Sequence, residues 1–163
     1  ILYSVLSFTG TERRKAFLDG VLSRFAHNYE SRCFMTRKQA REEAFILIFE
    51  KQFNSDSLED ILECAVQVRE IEPDSYIRSV FFGVYENLEE LDGIISGNSV
   101  GWSIKRISKT ALAVLRLAIY EIKYMEDIPV SVTINEAVEL CKKYATKEDA
   151  SFVNGILASV VKE

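Results

Sequence analysis

The sequence predicts an all-α fold, and three observations carry that expectation. Only 2 prolines and 7 glycines punctuate the 163 residues, which favours long helices over turn-rich β structure. Apolar side chains recur at three- and four-residue spacing in block after block. Most blocks also open on helix-start chemistry, a Thr, Ser or Asp followed three residues later by a carboxylate or amide, or a proline in the first turn. Hydrophobic residues make up 48% of the chain and charged residues 28%, the composition of a globular protein able to bury a core.

The elements follow in order. Residues 12–30 form an expected amphipathic helix with Phe17, Leu18, Val21, Leu22, Phe25 and Tyr29 on one face. A second helix starts at Thr36, where Thr36 and Gln39 make a capping box, and it turns Ala40, Ala44, Leu47 and Ile48 inward, widened by Phe45 and Phe49. Asn54 to Ser57 is a polar break. The Ser57–Asp60 start leads into a short helix with Ile61, Leu62, Ala65 and Val66 inward. Glu72-Pro73-Asp74 opens a long helix, with Pro73 expected in its first turn and a stripe from Tyr76 to Leu91 that fades near Gly93. Gly97 to Gly101 reads as a loop.

Trp102 begins a new block, in which Ile104 and Ile107 suggest a short helix. The run after Ser108, TALAVLRLAIYEIKYM, is apolar nearly all round and predicts a central buried helix that ends before Asp127-Ile128-Pro129. Ser131–Tyr144 is the next helix, carrying Ile134, Ala137, Val138 and Cys141. Thr146 to Asp149 caps the last, which faces Phe152, Val153, Ile156, Leu157 and Val160 inward. The sequence shows no internal repeat and no convincing strand.

Several chemistries are excluded. His27 is the only histidine, so a histidine-based metal site or a Ser-His-Asp triad is implausible. No glycine-rich loop precedes a Lys-Ser or Lys-Thr pair. The carboxylates read as solvated helix faces and i,i+4 partners, so the expectation is a binding protein without catalysis or cofactor. Cys33, Cys64 and Cys141 are odd in number and lack a C-x-x-C pair, which points to reduced thiols in a cytoplasm. The opening ILYSVLSF is too short for a membrane span.

The net charge is -5, so any nucleic-acid binding must come from a local patch. Residues 1–34 hold 5 basic and 3 acidic side chains, which leaves 15 basic and 22 acidic in the remainder. Three basic clusters stand out: Arg37, Lys38 and Arg41; Lys105, Arg106 and Lys109; and Lys142, Lys143 and Lys147. Each alone reads more readily as a solvated face. Lysines near a helix C-terminus complement its dipole, which gives Lys142 and Lys143 a structural use. Arg37 and Lys38 sit at the unfavourable positive end of their helix, which favours an anion-binding purpose for the first cluster. Asn135-Glu136 and Asn154-Gly155 interrupt apolar helices. They read as bridges between helices, with Gly155 as a place for backbones to approach. Phe152 fits either a core position or an exposed ring for base stacking.

The run AVLRLAIYEIKYMEDIPVSVTINEAVELCKKYA, followed by FVNGIL, resembles the NusB family of bacterial transcription antitermination factors. So do RKQAREEAF, GVYENLEELDG, and Trp102 followed by Arg106-Ile107; the resemblance covers residues 35 to 162 in order. It implies two packed three-helix bundles (residues 35–163). It also implies pairing with the ribosomal small-subunit protein NusE, binding of single-stranded boxA RNA, and assembly with other Nus factors on RNA polymerase. Premature termination is then suppressed, notably in ribosomal RNA operons.

Residue by residue, the resemblance places the RNA surface at Arg37, Lys38, Arg41, Lys142, Glu148 and Phe152. It places the NusE side near Lys105, Ser108 and Ala111, where Ala111 replaces the usual acidic residue. Gln39 and Ile46 are further departures. Met35 coincides with the usual family start. Residues 1–34 then have no counterpart and read as upstream translation or a dispensable extension, with a real added N-terminal helical extension as the alternative. Self-association into a homodimer would hide one of these faces. Two alternatives stand beside this reading. A similar domain begins some ribosomal RNA cytosine methyltransferases, which would require a catalytic region beyond Glu163. The other is a helical interaction module with no RNA role.

Overall fold

The structure, a computed structural model, describes residues 35–99 and 101–162; the helix expected over 12–30 and the 1–34 extension lie outside them. Among the described residues there are seven α-helices, one 3-10 turn and no strand. Helix α1 (Arg37–Lys51) starts at a complete capping box: Thr36 Oγ1 accepts the Gln39 N–H at 3.3 Å, and Gln39 Oε1 accepts the Thr36 N–H at 2.8 Å. Its inward stripe is as the periodicity requires, with Ala40, Ala44, Leu47 and Ile48 fully buried. Helix α2 (Leu58–Arg69) is capped by Ser57 and stops at Glu70, whose left-handed φ of 53° ends the helical path. Val66, expected inward, is partly exposed there.

Helix α3 (Ser75–Glu86) is capped by Asp74, whose Oδ1 accepts the Ile77 N–H at 2.8 Å. Pro73 therefore precedes the cap and does not lie in the first turn. The single long helix expected through Leu91 is in fact two. Asn87, at φ -109°, turns its amide back to donate to the Gly83 carbonyl at 2.8 Å, and α4 (Leu88–Asn98) starts on the other side. Asn competes with the backbone ladder in this way, a local effect that an apolar stripe does not reveal. Nor does α4 fade at Gly93; it runs through Gly93 and Gly97 to Asn98, into the expected loop.

A 3-10 turn (Ile104–Arg106) leads to α5 (Lys109–Tyr124), capped by Ser108. Every residue of α5 from Ala111 to Glu121 is buried, so this helix is the axis around which most of the other described helices pack. Helix α6 (Val130–Tyr144) follows Pro129, and α7 (Lys147–Val160) opens on a second complete capping box, Thr146 with Asp149. Helices α1, α2 and α3 form one three-helix bundle, built on α1, and α5, α6 and α7 form the other. Helix α5 also packs on α1 and α3, and α4 closes against α5 and α7. The bidentate pair Arg116–Asp92, with both bonds at 2.8 Å, pins α4 to that axis. No described helix is long and apolar enough to cross a membrane.

Gly83 of α3 packs directly against the Tyr120 side chain of α5. A Cβ placed there would lie 2.2 Å from the Tyr120 hydroxyl and 2.3 Å from its ring. Gly93 has open space around its Cα. Gly83→Ala is therefore expected to lower stability by about 1–3 kcal/mol through overpacking, despite alanine's better helix propensity. Gly93→Ala should raise stability by up to about 1 kcal/mol. Urea denaturation of the two variants measures both, and equal effects would remove the steric account.

Candidate nucleic-acid interface

Glu121 of α5 is fully buried and anchors a polar network joining four helices. Its Oε1 accepts from Arg41 Nε of α1 at 2.8 Å and from the Tyr76 hydroxyl of α3. Its Oε2 accepts from Thr133 Oγ1 of α6 at 2.7 Å. Arg41 Nη1 lies 3.8 Å from Glu136 on α6. Burial works against the Arg41 charge, but the attraction of Tyr76, Glu121 and Glu136 outweighs it and holds its pKa above the usual arginine value. Burial, then the Glu121 charge, pushes the Tyr76 phenol well above its ordinary range, so it stays a proton donor to the carboxylate.

This network corrects the reading of the first basic cluster. Arg41 is only 2% exposed and cannot share a surface with Arg37 and Lys38. Its charge is consumed inside the fold. Arg37 and Lys38 are exposed, and no carboxylate among the described residues pairs with either. The Arg37 guanidinium sits 4.6 Å from the centroid of the Tyr76 ring, a cation–π contact that steadies it.

Across a shallow cleft from Lys38 lies the face of α6. There Lys143 pairs with Glu42, to which Tyr144 also donates, and Lys142 pairs with Glu139 at 2.6 Å. Lys142 is thus exposed but engaged in a surface pair, a weak tie that an anion can displace. Burial alone would raise the Glu42 pKa; the bonds from Lys143 and Tyr144 outweigh it and set it below the usual carboxylate value. Beyond the Ala145 turn, Lys147 and Glu148 are exposed in the first turn of α7, where Glu148 also complements the helix dipole. Phe152 is half-buried against Trp102, with ring centroids 6.0 Å apart.

The NusB family model matches residues 38–162. A transcription antitermination protein NusB of Acetivibrio thermocellus is 46% identical over 130 residues, covering 78% of this chain and 90% of that protein. One from Clostridium botulinum (Type A3) is 40% identical over 141 residues, covering 78% of this chain and all of the relative. The chain belongs to the NusB family. Among solved structures, NusB of T. maritima superposes with a TM-score of 0.71 at 37% identity, covering 78% of this chain and 92% of that one. NusB in a crystal structure of antitermination factors NusB and NusE with double-stranded RNA superposes at 0.70 and 26% identity, covering 77% and 96%.

Within this NusB-family fold the remaining site residues fall unevenly. Lys105 and Ser108 are exposed, whereas Ala111 is fully buried and cannot touch a partner. Ser108 Oγ donates to Asp149 Oδ1 at 3.0 Å, tying the start of α5 to the start of α7. Glu136 bridges helices as expected, through Arg41, but Asn135, Asn154 and Gly155 are exposed, and nothing lies within 4 Å of a Cβ at Gly155. The glycine crowded by a neighbouring helix is Gly83 instead, and what crowds it is the Tyr120 side chain rather than a backbone. Burial, then the Asp149 charge, pushes the Cys141 thiol up to about 12, so it is inert; Cys64 is exposed. The described residues contain no cluster of three or more side chains suited to a metal ion. Sequence reasoning missed Tyr76, Glu121 and Thr133. The available signal was a carboxylate inside an otherwise apolar helix, which demands a buried cation.

Two predictions follow from this geometry. Glu121→Gln removes the near partner of the buried Arg41 charge, leaving only Glu136 at 3.8 Å, and should cost about 3–5 kcal/mol of stability. Arg37→Ala should cost no more than about 0.5 kcal/mol. Denaturant unfolding separates the two, and equal losses would show that Arg41 is not internally neutralised. The second concerns acid. Because Glu42 titrates below the carboxylate norm when folded, its contribution is full above that norm and is lost as pH falls through the folded value. Wild type and Glu42→Gln should therefore differ in stability near neutrality and converge in acid, as read from thermal midpoints against pH.

Proposed function

We propose that this NusB-family protein is an antitermination factor. In this reading it pairs with NusE, holds boxA-type single-stranded RNA, and joins other Nus factors on RNA polymerase in the cytoplasm to suppress premature termination, notably in ribosomal RNA operons. The observation that carries the reading is the pair of exposed, unpaired cations Arg37 and Lys38 at the N-terminus of α1. They oppose the helix dipole and no carboxylate among the described residues pairs with them; the fold offers Arg37 only the cation–π contact with Tyr76, so an external anion is the partner they suit. The relatives named above are antitermination proteins, and one solved neighbour is a complex of NusB, NusE and RNA. No step of this function requires catalysis.

The strand would run from Arg37 and Lys38 across to Lys142 and on to Glu148 and Phe152. The lysines meet phosphates, Glu148 accepts from base amino groups, and Phe152 stacks. Arg41 enters this function only indirectly: it holds α1 against α6 and so sets the width of the cleft between the two cation groups. Residues 35–163 are the functional unit in this reading, and the 1–34 extension is dispensable to it.

Charge reversal at the two free cations tests the proposal. Arg37→Glu/Lys38→Glu should abolish preference for a boxA-type strand over a scrambled one in fluorescence anisotropy, with and without NusE, and leave the fold intact by circular dichroism. Neutralising the same pair with alanine should flatten the log K against log[salt] slope by roughly 1.4, the share of two phosphate contacts on a single strand. Unchanged RNA binding in both variants would sink the role of these residues. Absence of any RNA binding by the wild type would leave a helical interaction module.

A further inference from the structure

Trp102 is the one tryptophan of the chain, and it is 54% exposed. Its position is built. Gly101 adopts φ +77°, a left-handed turn that favours glycine, and the Trp102 N–H then donates to the Ser99 carbonyl at 3.0 Å. Below it, Ile104 and Ile107 pack on the core and anchor the 3-10 turn. That anchoring leaves Lys105 and Arg106 exposed on the turn and Lys109 at the first position of α5. Residues 102–111 hold three cations and no acid, in a chain whose net charge is -5. None of the three pairs with a carboxylate among the described residues.

The segment is joined to α7 by two contacts, the Ser108–Asp149 hydrogen bond and the Trp102–Phe152 ring contact, with planes inclined at 53°. The first turn of α7 carries Lys147 and, one turn on, Phe152. Exposed aromatic surface flanked by uncompensated cations is the chemistry that takes a single-stranded nucleic acid, rings for bases and cations for phosphates. A tryptophan placed only to shield the core would leave much less of itself in water.

We propose that Trp102 is a nucleobase-stacking residue. With Lys105 and Arg106 it extends the RNA path past Phe152, over the 3-10 turn. This rests on the RNA-binding reading above and reassigns a segment that the family resemblance places toward a protein partner. Helix α1 gives the scale. Its 15 residues span roughly 22 Å at about 1.5 Å each, and its C-cap Gln52 bonds the Lys109 carbonyl at 2.9 Å. The cations at its first turn and those beside Trp102 are therefore far enough apart that one strand of several nucleotides, not one phosphate, engages both.

The test uses the tryptophan emission of the full chain, excited at the red edge where tyrosine does not absorb, so that it reports Trp102 alone. Titration with an unlabelled boxA-type single strand should quench that emission, with the same midpoint as the anisotropy of an end-labelled copy. Trp102→Leu should weaken binding about tenfold and Trp102→Phe much less, since base stacking tolerates either ring. Lys105→Ala/Arg106→Ala should flatten the salt slope by roughly 1.4. The emission measurement is made on wild type and does not depend on how the variants fold. RNA that binds with the Arg37 and Lys38 dependence but leaves the emission unmoved, with Trp102→Leu binding as wild type, overturns this inference and spares the RNA reading. Emission that answers to purified NusE and stays silent to RNA overturns it too and assigns the segment to a protein partner. Failure of wild type to bind RNA at all overturns both.

Discussion

The arrangement of the helices depends on one buried carboxylate. Glu121 lies in the middle of an apolar helix, where an unpaired charge would cost several kcal/mol. It is tolerable only because Arg41, Tyr76 and Thr133 converge on it from three other helices. The requirement runs both ways. Arg41 is equally buried and has Glu121 and Glu136 as its compensating charges. Dispersion packing tolerates small slides between helices; a carboxylate whose oxygens accept from three fixed donors does not. The network thus specifies one register of α1, α3, α5 and α6 rather than merely adding stability, and the placement of every surface cation follows from that register.

That register explains how an acidic chain can present a basic face. Part of the negative charge is neutralised by pairing within the fold: Arg69 engages Glu43 and Glu50, Arg116 engages Asp92, and Lys123 engages Glu90. At the ionic strength of a cell, solvated charges farther apart than about 8 Å are largely screened, so local composition outweighs the net charge. Near the cleft, Glu42 and Glu139 each hold a lysine by a surface pair. Pairs of this exposed kind are weak, so in the proposed RNA reading a phosphate can displace the acids.

Much of this was legible in the sequence because it is local. Capping boxes at Thr36 and Thr146, the buried run of α5 and the polar break before Ser57 are decided by neighbours within a few residues. The resemblance of residues 35–162 to the NusB family, which the family match over residues 38–162 supports, rests on motifs of the same short range. What escaped was long-range or single-residue. The break at Asn87 hangs on one side chain turning back to Gly83, and the apolar stripe runs on regardless. The partner of Gly83 is Tyr120, on another helix, whereas Gly155, which reads the same way in sequence, faces solvent. The Trp102–Phe152 contact joins residues 50 positions apart and leaves no periodic trace.

The first basic cluster shows most clearly why a charge motif is not yet a site. Arg37 and Arg41 are one turn apart, and four residues of an α-helix advance by more than a full turn, so the two side chains leave the axis in different directions. At the rim of a bundle that offset divides inside from outside. Both guanidinium groups approach the same Tyr76 ring, Arg41 at 5.8 Å from within and Arg37 at 4.6 Å from the exposed first turn. The inner one neutralises Glu121 and fixes the fold; the outer one keeps its charge for solvent and ligand. The tyrosine thus joins the two roles. Its hydroxyl is fixed by the buried carboxylate and its ring steadies the exposed cation, so the interior charge network sets the position of the surface cation proposed to meet RNA.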